Sequence, residues 1–165
     1  MAEIMDSKTK VLTLKSSDGK EFSLSESAAV LSGVLRGMVA DGLTEGEIPI
    51  GTVDGGILEK VIGYLNKHAE GGVSDGEKKK FDEEFVTVEE MKVLFEIAKA
   101  ANFLEIKGLM ATVCQEIAKR MKDKSVKWVR EMFNVENDFD AEEEEMIKAE
   151  YPWAWEGVES DGDNN

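Results

Sequence analysis

Few residues in this chain have the type and spacing that chemistry requires. His68 is the single histidine and Cys114 the single cysteine among the 165 residues, so the usual His and Cys ligand sets for zinc cannot be assembled. His68 lies on the apolar face of a predicted helix, which favours a structural role. Cys114 falls within an apolar stripe, which predicts burial and low reactivity. Neither has a neighbouring base or ligand in the sequence that would make a catalytic site.

Two further patterns that can serve chemistry are incomplete. The run EGGVSDG at residues 70–76 lacks the Gly-Lys-Ser/Thr end of a phosphate-binding loop. The four glutamates at residues 142–145 suit the start of a helix, where the helix dipole favours acidic side chains. We therefore expect no catalytic residues, no metal and no cofactor. An activity lost in His68→Ala without unfolding would revive the hypothesis of a small enzyme.

The charge of the chain restricts its partners. The net charge is −15, from 35 acidic and 20 basic residues. Residues 131–165 carry 13 of the acidic residues and one basic residue, Lys148. Nucleic acid and anionic membranes are excluded as partners, because both are bound through Lys and Arg. The acidic end is interpreted either as a solvated helix face with a loose tail or as a segment that steers a basic partner.

The chain has features of a protein of the cytoplasm and nucleus. A single cysteine allows no internal disulfide, which fits a reducing compartment. The first ten residues, MAEIMDSKTK, lack the apolar core of a signal peptide. No apolar run approaches the roughly 20 residues that a membrane-spanning helix needs.

The first half of the chain predicts a mixed α and β domain. Residues 10–24 read as two alternating runs around an Asp-Gly turn, which predicts a β-hairpin. Two glycines interrupt the helical pattern of residues 25–38 and predict two short helices. Residues 47–53 contain a proline and suit a short edge strand. A clear helical stripe follows at residues 55–68, and the Gly- and charge-rich residues 70–80 predict a flexible loop.

The second half predicts helices only. Thr87 and Glu90 match a capping box, with Val86 stapled onto Met91, at the start of a helix that reaches residue 101. A longer apolar stripe covers residues 106–122. Ser125 and Asp140 are predicted to cap two further helices, and residues from 156 onward are expected to be disordered. This order of elements predicts an α+β domain followed by a helical extension.

Large aromatic side chains lie in the acidic region or shortly before it. They are Trp128, Phe133, Trp153 and Trp155. One interpretation is that they pack the extension onto the domain. The other is that they line an apolar groove for a partner helix.

An ordered series of motifs resembles the Skp family of adaptors, the F-box-binding subunits of SCF ubiquitin ligases. Trp153 falls at the position of the family's C-terminal tryptophan. The other motifs are SSDGKEF at residues 16–22, ILEKVIGYLNKH at 57–68, FDEEF at 81–85, LFEIAKAANFLEIKGL at 94–109, VCQEIA at 113–118, and FNVENDF at 133–139 followed by EEEE. The resemblance covers about residues 10–155.

The resemblance implies a fold and a division of the chain. Residues 10–107 would form a BTB/POZ-type α+β domain that contains the flexible loop 70–80. Residues 108–155 would form the helices of the F-box-binding surface. Residues 156–165 would remain a disordered acidic tail.

The resemblance also implies a bridging function without catalysis. One surface would hold a cullin through Asn102 and Phe103, and the C-terminal helices would hold an interchangeable F-box protein that brings the substrate for ubiquitination. The residues expected at the F-box surface are Phe95, Leu109, Val113, Cys114, Ile117, Phe133, Val135 and Trp153.

The chain departs from the family at several positions, as a diverged paralogue of plant type would. PIGTV at residues 49–53 replaces Pro-Leu-Pro-Asn-Val, Phe81 replaces a tryptophan, and Ser125-Val126 replaces a Thr-Pro helix start. Phe103 lacks the hydroxyl of the family's tyrosine, which removes one potential cullin hydrogen bond, typically about 1 kcal/mol.

A second hypothesis is a BTB-type structural or interaction protein that self-associates or serves an F-box protein outside a ligase. Asn102 and Phe103 would then be dispensable. Under the adaptor hypothesis, exposed apolar stripes should make the free chain less stable and weakly self-associating, and an F-box partner should stabilise it. Deletion of residues 108–165 is expected to abolish F-box binding and leave the first domain folded.

Overall fold

The computed structural model describes residues 10–159 of the chain. Within that range lie a three-stranded sheet and eight α-helices, so the predicted α+β class is confirmed. The chain divides into two compact units, Met1–Gln115 and Glu116–Asn165. The sheet and the first five helices belong to the first unit, the last two helices belong to the second, and the sixth helix spans the boundary.

The sheet has β1 (Val11–Ser16) at its centre, antiparallel to β2 (Glu21–Ser25) and parallel to β3 (Glu47–Ile50). The predicted hairpin and edge strand are both confirmed. Pro49 is tolerated in β3 because an edge strand does not need every backbone N–H for its ladder. Alternate side chains of β1 and β3 point into the core, as the two-residue period of a strand requires.

The hairpin turn is tied to the start of helix α3 (Gly55–Ala69). Gly19 adopts φ 82° in the turn, a conformation that favours glycine. Asp18 Oδ1 accepts hydrogen bonds from the Ser16 hydroxyl at 2.6 Å and from the Gly55 N–H at 2.7 Å. The Ser16 hydroxyl, followed by the Gly55 N–H, holds the pKa of the Asp18 carboxyl below its usual value. The SSDG motif therefore joins the hairpin to the main helix of the domain.

Two short helices, α1 (Glu26–Ala29) and α2 (Gly33–Ala40), follow the hairpin as predicted. Ser32 caps α2 by accepting from the Leu35 N–H at 3.2 Å. The buried Ser32 hydroxyl also donates to the Leu104 carbonyl at 2.5 Å. Because Leu104 ends helix α5 (Met91–Phe103), this bond connects two helices distant in sequence.

The prediction of a flexible loop over residues 70–80 is wrong from residue 75 onward. Helix α4 (Asp75–Thr87) begins within it, and a capping box starts the helix: the Ser74 side chain accepts from the Glu77 N–H while the Glu77 carboxylate accepts from the Ser74 N–H. The charged residues of this segment are solvated on the outer face of a helix. The composition of this segment therefore predicts a loop where the backbone forms a helix.

Aromatic contacts hold α4 against α3. The Phe85 ring lies 5.9 Å from that of Tyr64, and His68 stacks on Tyr64 at 4.2 Å. His68 Nε2 is hydrogen-bonded to Asp82 Oδ1 at 2.6 Å, consistent with the structural role predicted for His68. Burial, followed by the Asp82 charge, raises the pKa of Tyr64 to about 12.

The predicted capping box at Thr87 is wrong, although a helix does begin at Met91. Thr87 is the last residue of α4, and its hydroxyl donates to the Glu83 carbonyl. Glu90 occupies the N-cap of α5 without a side-chain cap bond. The α4 helix continues through the position where the sequence predicts a start, which removes Thr87 from the cap.

The second half is helical, as predicted. Ser125 accepts from the Trp128 N–H at 3.1 Å, and Asp140 forms a capping box with Glu143, so both predicted caps are confirmed. The elements are α6 (Lys107–Met121), α7 (Val126–Phe133), α8 (Ala141–Glu150) and a 3-10 turn, Pro152–Trp155.

The beginning of the expected tail has defined contacts. The Glu159 N–H donates to the Asp123 carbonyl at 2.7 Å, so the expectation of disorder from residue 156 does not hold for residues 156–159. Residues 160–165, which complete the predicted tail, lie outside the described residues.

Buried residues are unevenly distributed between the two units. The first unit has a continuous apolar core from the sheet and from helices α1 to α6. Of residues 116–159 in the second unit, only Ile117 and Ser125 are buried. The second unit therefore has almost no core of its own.

Candidate partner-binding surfaces

Asn102 and Phe103, the residues expected to meet a cullin, lie side by side in the last turn of α5. Both are exposed, and 45% of the Phe103 surface is accessible. Leu104 and Ile106, which follow them, are fully buried or nearly so. The two buried residues anchor the end of α5 and hold the amide and the ring outward.

Phe103 lines a small cleft of about 240 Å³ in the first unit. Its other walls include Thr52 and Val53, which follow β3, and the ion pair of Glu96 with Lys99 at 2.7 Å. Two departures from the family pattern, at residues 49–53 and at Phe103, therefore share one surface. Sequence reasoning did not assign Thr52 to this surface, since the two segments are distant in the chain.

Leu109 and Val113 lie in the core of the first unit. Both side chains have 0% of their surface exposed, and Ile117, one turn further along α6, has 9%. The expectation that Leu109 and Val113 line an accessible F-box surface is therefore corrected. They support α6 from beneath, and a partner could contact them only after the surrounding side chains moved. Phe95, another expected F-box residue, is half-buried.

Cys114 is exposed, and the prediction of its burial is wrong. Residues 109, 113 and 117 recur every fourth position and form the buried line of α6. One residue further along an α-helix turns by about 100°, which places Cys114 on the flank of that line. Cys114 is therefore accessible to a partner, as its expected place on an F-box surface requires.

The second unit exposes a set of large apolar side chains. Phe133, Val135 and Trp153, the expected F-box residues of this unit, are all exposed, and Trp153 has 70% of its surface accessible. Three further exposed apolar side chains of this unit were not assigned from the sequence: Phe139, Met146 and Tyr151. The NDF motif could have identified Phe139. An apolar set of this size on one small unit is typical of an interaction surface.

A groove of about 970 Å³ runs through the second unit. Helix α7, the following segment 134–139, helix α8 and Trp155 form its walls. Val135 lines the groove, whereas Phe133 and Trp153 are exposed outside its lining. The lining side chains include Val126, Lys127, Arg130, Phe139, Glu144, Ile147 and Lys148.

A polar cluster sets the geometry of this groove. Glu144 accepts from Asn137 Nδ2 at 2.8 Å and from Arg130 at 3.4 Å. The Asn137 hydrogen bond, with the smaller effect of Arg130, holds the pKa of the Glu144 carboxyl below its usual value. The Arg130 guanidinium also lies 5.8 Å from the centre of the Phe139 ring. These contacts join α7, α8 and the segment between them.

Two stretches of the chain match models of known protein domains, one in each half of the sequence. Residues 10–70 match the Skp1 family tetramerisation (POZ) domain, and residues 107–154 match the Skp1 family dimerisation domain. The chain belongs to the Skp1 family. The family supports the role of an adaptor of SCF-type ubiquitin ligases.

Curated plant proteins resemble the chain over most of its length. SKP1-like protein 10 of Arabidopsis thaliana is 42% identical over 151 residues, which cover 90% of this chain and 99% of that protein. SKP1-like protein 1 of Oryza sativa subsp. japonica is 38% identical over 167 residues, which cover 89% and 96%. SKP1-like protein 14 of Arabidopsis thaliana is 40% identical over 145 residues, which cover 88% and 97%.

The match to the Skp1 family dimerisation domain ends at residue 154, so the last described residues, 155–159, lie outside the matched domains.

No helix within residues 10–159 is both long and apolar enough to cross a bilayer. Over the same described range, His, Cys, Asp and Glu side chains form no group of three that could hold a metal ion.

Proposed function

We propose that the chain bridges a cullin scaffold to interchangeable F-box proteins in an SCF-type ubiquitin ligase of the cytoplasm and nucleus. The second unit would hold the F-box segment, and the end of α5 would hold the cullin. The observation that carries this proposal is a second unit that buries only Ile117 and Ser125 among residues 116–159 while exposing six large apolar side chains.

The second unit lacks the buried apolar core that would stabilise it without a partner. A segment of this size cannot offset its conformational entropy without burying apolar surface. An amphipathic F-box helix laid against Phe133, Val135 and Trp153 would supply that burial, at about 25 cal/mol for each Å² of apolar surface removed from water. Association entropy offsets part of this gain. We expect the partner to stabilise the chain and the free chain to self-associate weakly.

The cullin side of the proposal rests on Asn102 and Phe103. The Asn102 amide can donate and accept hydrogen bonds at the rim of an interface. The exposed Phe103 ring can contribute apolar contact without the hydroxyl of a tyrosine. The adjoining cleft with Thr52 extends this surface to the segment after β3.

A second candidate function is favoured by the same cleft. Because the departures at residues 49–53 and at Phe103 lie together, their combined effect could abolish cullin contact. The chain would then be a BTB-type interaction protein that binds an F-box protein or itself outside a ligase.

Size-exclusion chromatography of the chain with an F-box fragment and a cullin N-terminal domain tests the proposal. A ternary peak is expected. A binary peak with the F-box fragment alone would favour the second candidate function, and the absence of both complexes would refute the proposal.

Two point variants separate the surfaces. Trp153→Ala should weaken the F-box complex, and Asn102→Ala should weaken only the cullin complex. Val88→Ala is the matched control, because Val88 is an apolar residue with 78% of its surface exposed and lies in neither surface.

A further inference from the structure

The chain continues past the matched Skp1 family domain and folds back on itself. The Glu159 N–H donates to the Asp123 carbonyl at 2.7 Å. Lys124 Nζ donates to both carboxylate oxygens of Glu159, at 2.6 and 2.7 Å. Residues 155–159, here named the strap, lie beyond the family match that ends at residue 154.

The strap is anchored at the turn between α6 and α7. Asp123 adopts φ 63° there, and the next residue, Lys124, extends to the strap. The Lys124 ammonium also lies 5.8 Å from the centre of the Trp128 ring, a cation–π contact that orients the ammonium. One lysine therefore joins the strap to the start of α7.

The strap meets the groove through its first residue, Trp155. Trp155 is also the last residue of the 3-10 turn, and it lines the groove together with Val126 and Lys127 of α7 and Ile147 of α8. Trp155 is half-buried, in contrast to the widely exposed Trp153. The chain from Trp155 to Glu159 thus connects the end of α8 to the start of α7.

The charges at the anchor suit an acidic strap. Residues 119–130 contain six basic side chains and a single acidic one, Asp123, in a chain whose net charge is −15. Residues 131–165, which include Glu156 and Glu159, contain only one basic residue, Lys148. The basic segment 119–130 is therefore a favourable place for an acidic side chain of the strap. Because the Glu159 carboxylate is largely exposed, added salt should weaken its attraction to Lys124.

We propose that the strap is an internal competitor: it fixes Trp155 as one wall of the groove, and an F-box helix that enters the groove beside Val135 must displace that wall. This inference rests on the proposed F-box-binding function. A partner that needs the open groove binds with an apparent affinity reduced by the open fraction. Among the described residues, only an exposed ion pair and one backbone hydrogen bond are known to hold the strap, so they favour the closed groove by a small free energy. Release of the strap should therefore tighten F-box binding about two- to five-fold at low salt.

Three variants test the competitor role. Glu159→Lys removes the anchor and should tighten binding of an F-box fragment. Glu156→Lys makes the same charge change at a residue with no ion pair among the described side chains, and should leave the affinity unchanged. The double variant Lys124→Glu with Glu159→Lys restores an opposite-charge pair and should return the affinity to that of the original chain. Titration calorimetry at low and high salt measures all three.

A second readout reports the strap without any partner. The indole N–H signal of Trp155, assigned with Trp155→Phe, should shift in ¹⁵N NMR spectra of Glu159→Lys and return in the charge-swapped chain. An unshifted signal would overturn the strap itself. A shifted signal with unchanged or weakened fragment binding would overturn its competitor role.

The two readouts also separate this inference from the proposed function. If the original chain binds the F-box fragment and Glu159→Lys binds it equally well, only the inference fails. If neither chain binds the fragment, the proposed function fails, and the competitor role fails with it.

Discussion

Leu109→Ala distinguishes a core residue from a partner contact. Leu109 is fully buried in the first unit, so its truncation removes apolar contacts and leaves a cavity. Leu→Ala changes at such sites cost about 3 kcal/mol. For a unit of this size, that loss lowers the midpoint of thermal unfolding by about 10 °C or more.

The assay pairs stability with binding. Urea unfolding followed by circular dichroism measures the loss of stability, and calorimetry below the unfolding transition measures F-box affinity. We expect Leu109→Ala to be destabilised with its affinity almost unchanged while it is folded. Cys114→Ala is the reciprocal control on the same helix, because Cys114 is exposed; its stability should stay within about 0.5 kcal/mol while its affinity falls. A Leu109→Ala chain of normal stability that no longer binds would refute this assignment.

Three further predictions follow from the same geometry. Asp18→Asn should be less stable at neutral pH. The pKa of the Asp18 carboxyl is lowered in the folded chain, so the carboxylate contributes stability above about pH 4, and this stability is lost as the pH falls through the folded-state pKa. When urea unfolding is measured from pH 7 to 3, the free energies of unfolding of the two chains should converge, and a constant difference between them would contradict this. A chain ending at residue 122 should fold without binding an F-box fragment, whereas one ending at residue 107 should unfold because it lacks Leu109 and Val113; circular dichroism of both chains decides this. Phe103→Tyr should tighten cullin binding about five-fold, by one hydrogen bond of about 1 kcal/mol; calorimetry showing no gain would mean that the hydroxyl position is not at the interface.

The first domain extends beyond residue 107, the boundary that was expected from the sequence. A cut before residue 108 looks suitable because a new helix begins there. The structure places Leu109 and Val113 in the core of the first unit, so the first part of α6 is needed for folding. A test of F-box binding by deletion therefore has to retain at least the first part of α6, through Val113.

Elements governed by local rules were predictable. The Asp18-Gly19 hairpin and the caps at Ser125 and Asp140 depend on residues within a few positions of one another. Turn conformation and capping require only those neighbours. The family was likewise recognisable from ordered motifs, without knowledge of the packing.

Helix α4 was missed although its start is local, since Ser74 and Glu77 form a capping box. The Gly- and Lys-rich composition of its first residues is typical of a loop, and the contacts that hold the helix against α3 are not local. Phe85 and Asp82 become stabilising only when α3 places Tyr64 and His68 opposite them. A composition rule cannot include contacts that exist only after two helices meet.

The sequence by itself determined the family, the acidic balance, the hairpin and the helix caps, because each depends on residue identity or on close neighbours. Only the tertiary structure decided that Leu109 is buried while Cys114, within the same apolar stripe, is exposed. It also decided that Glu159 forms an ion pair with Lys124. Burial and ion pairing depend on which distant segments approach one another. The helical period of the sequence indicates only which side of a helix is apolar, and not which residues on that side are covered.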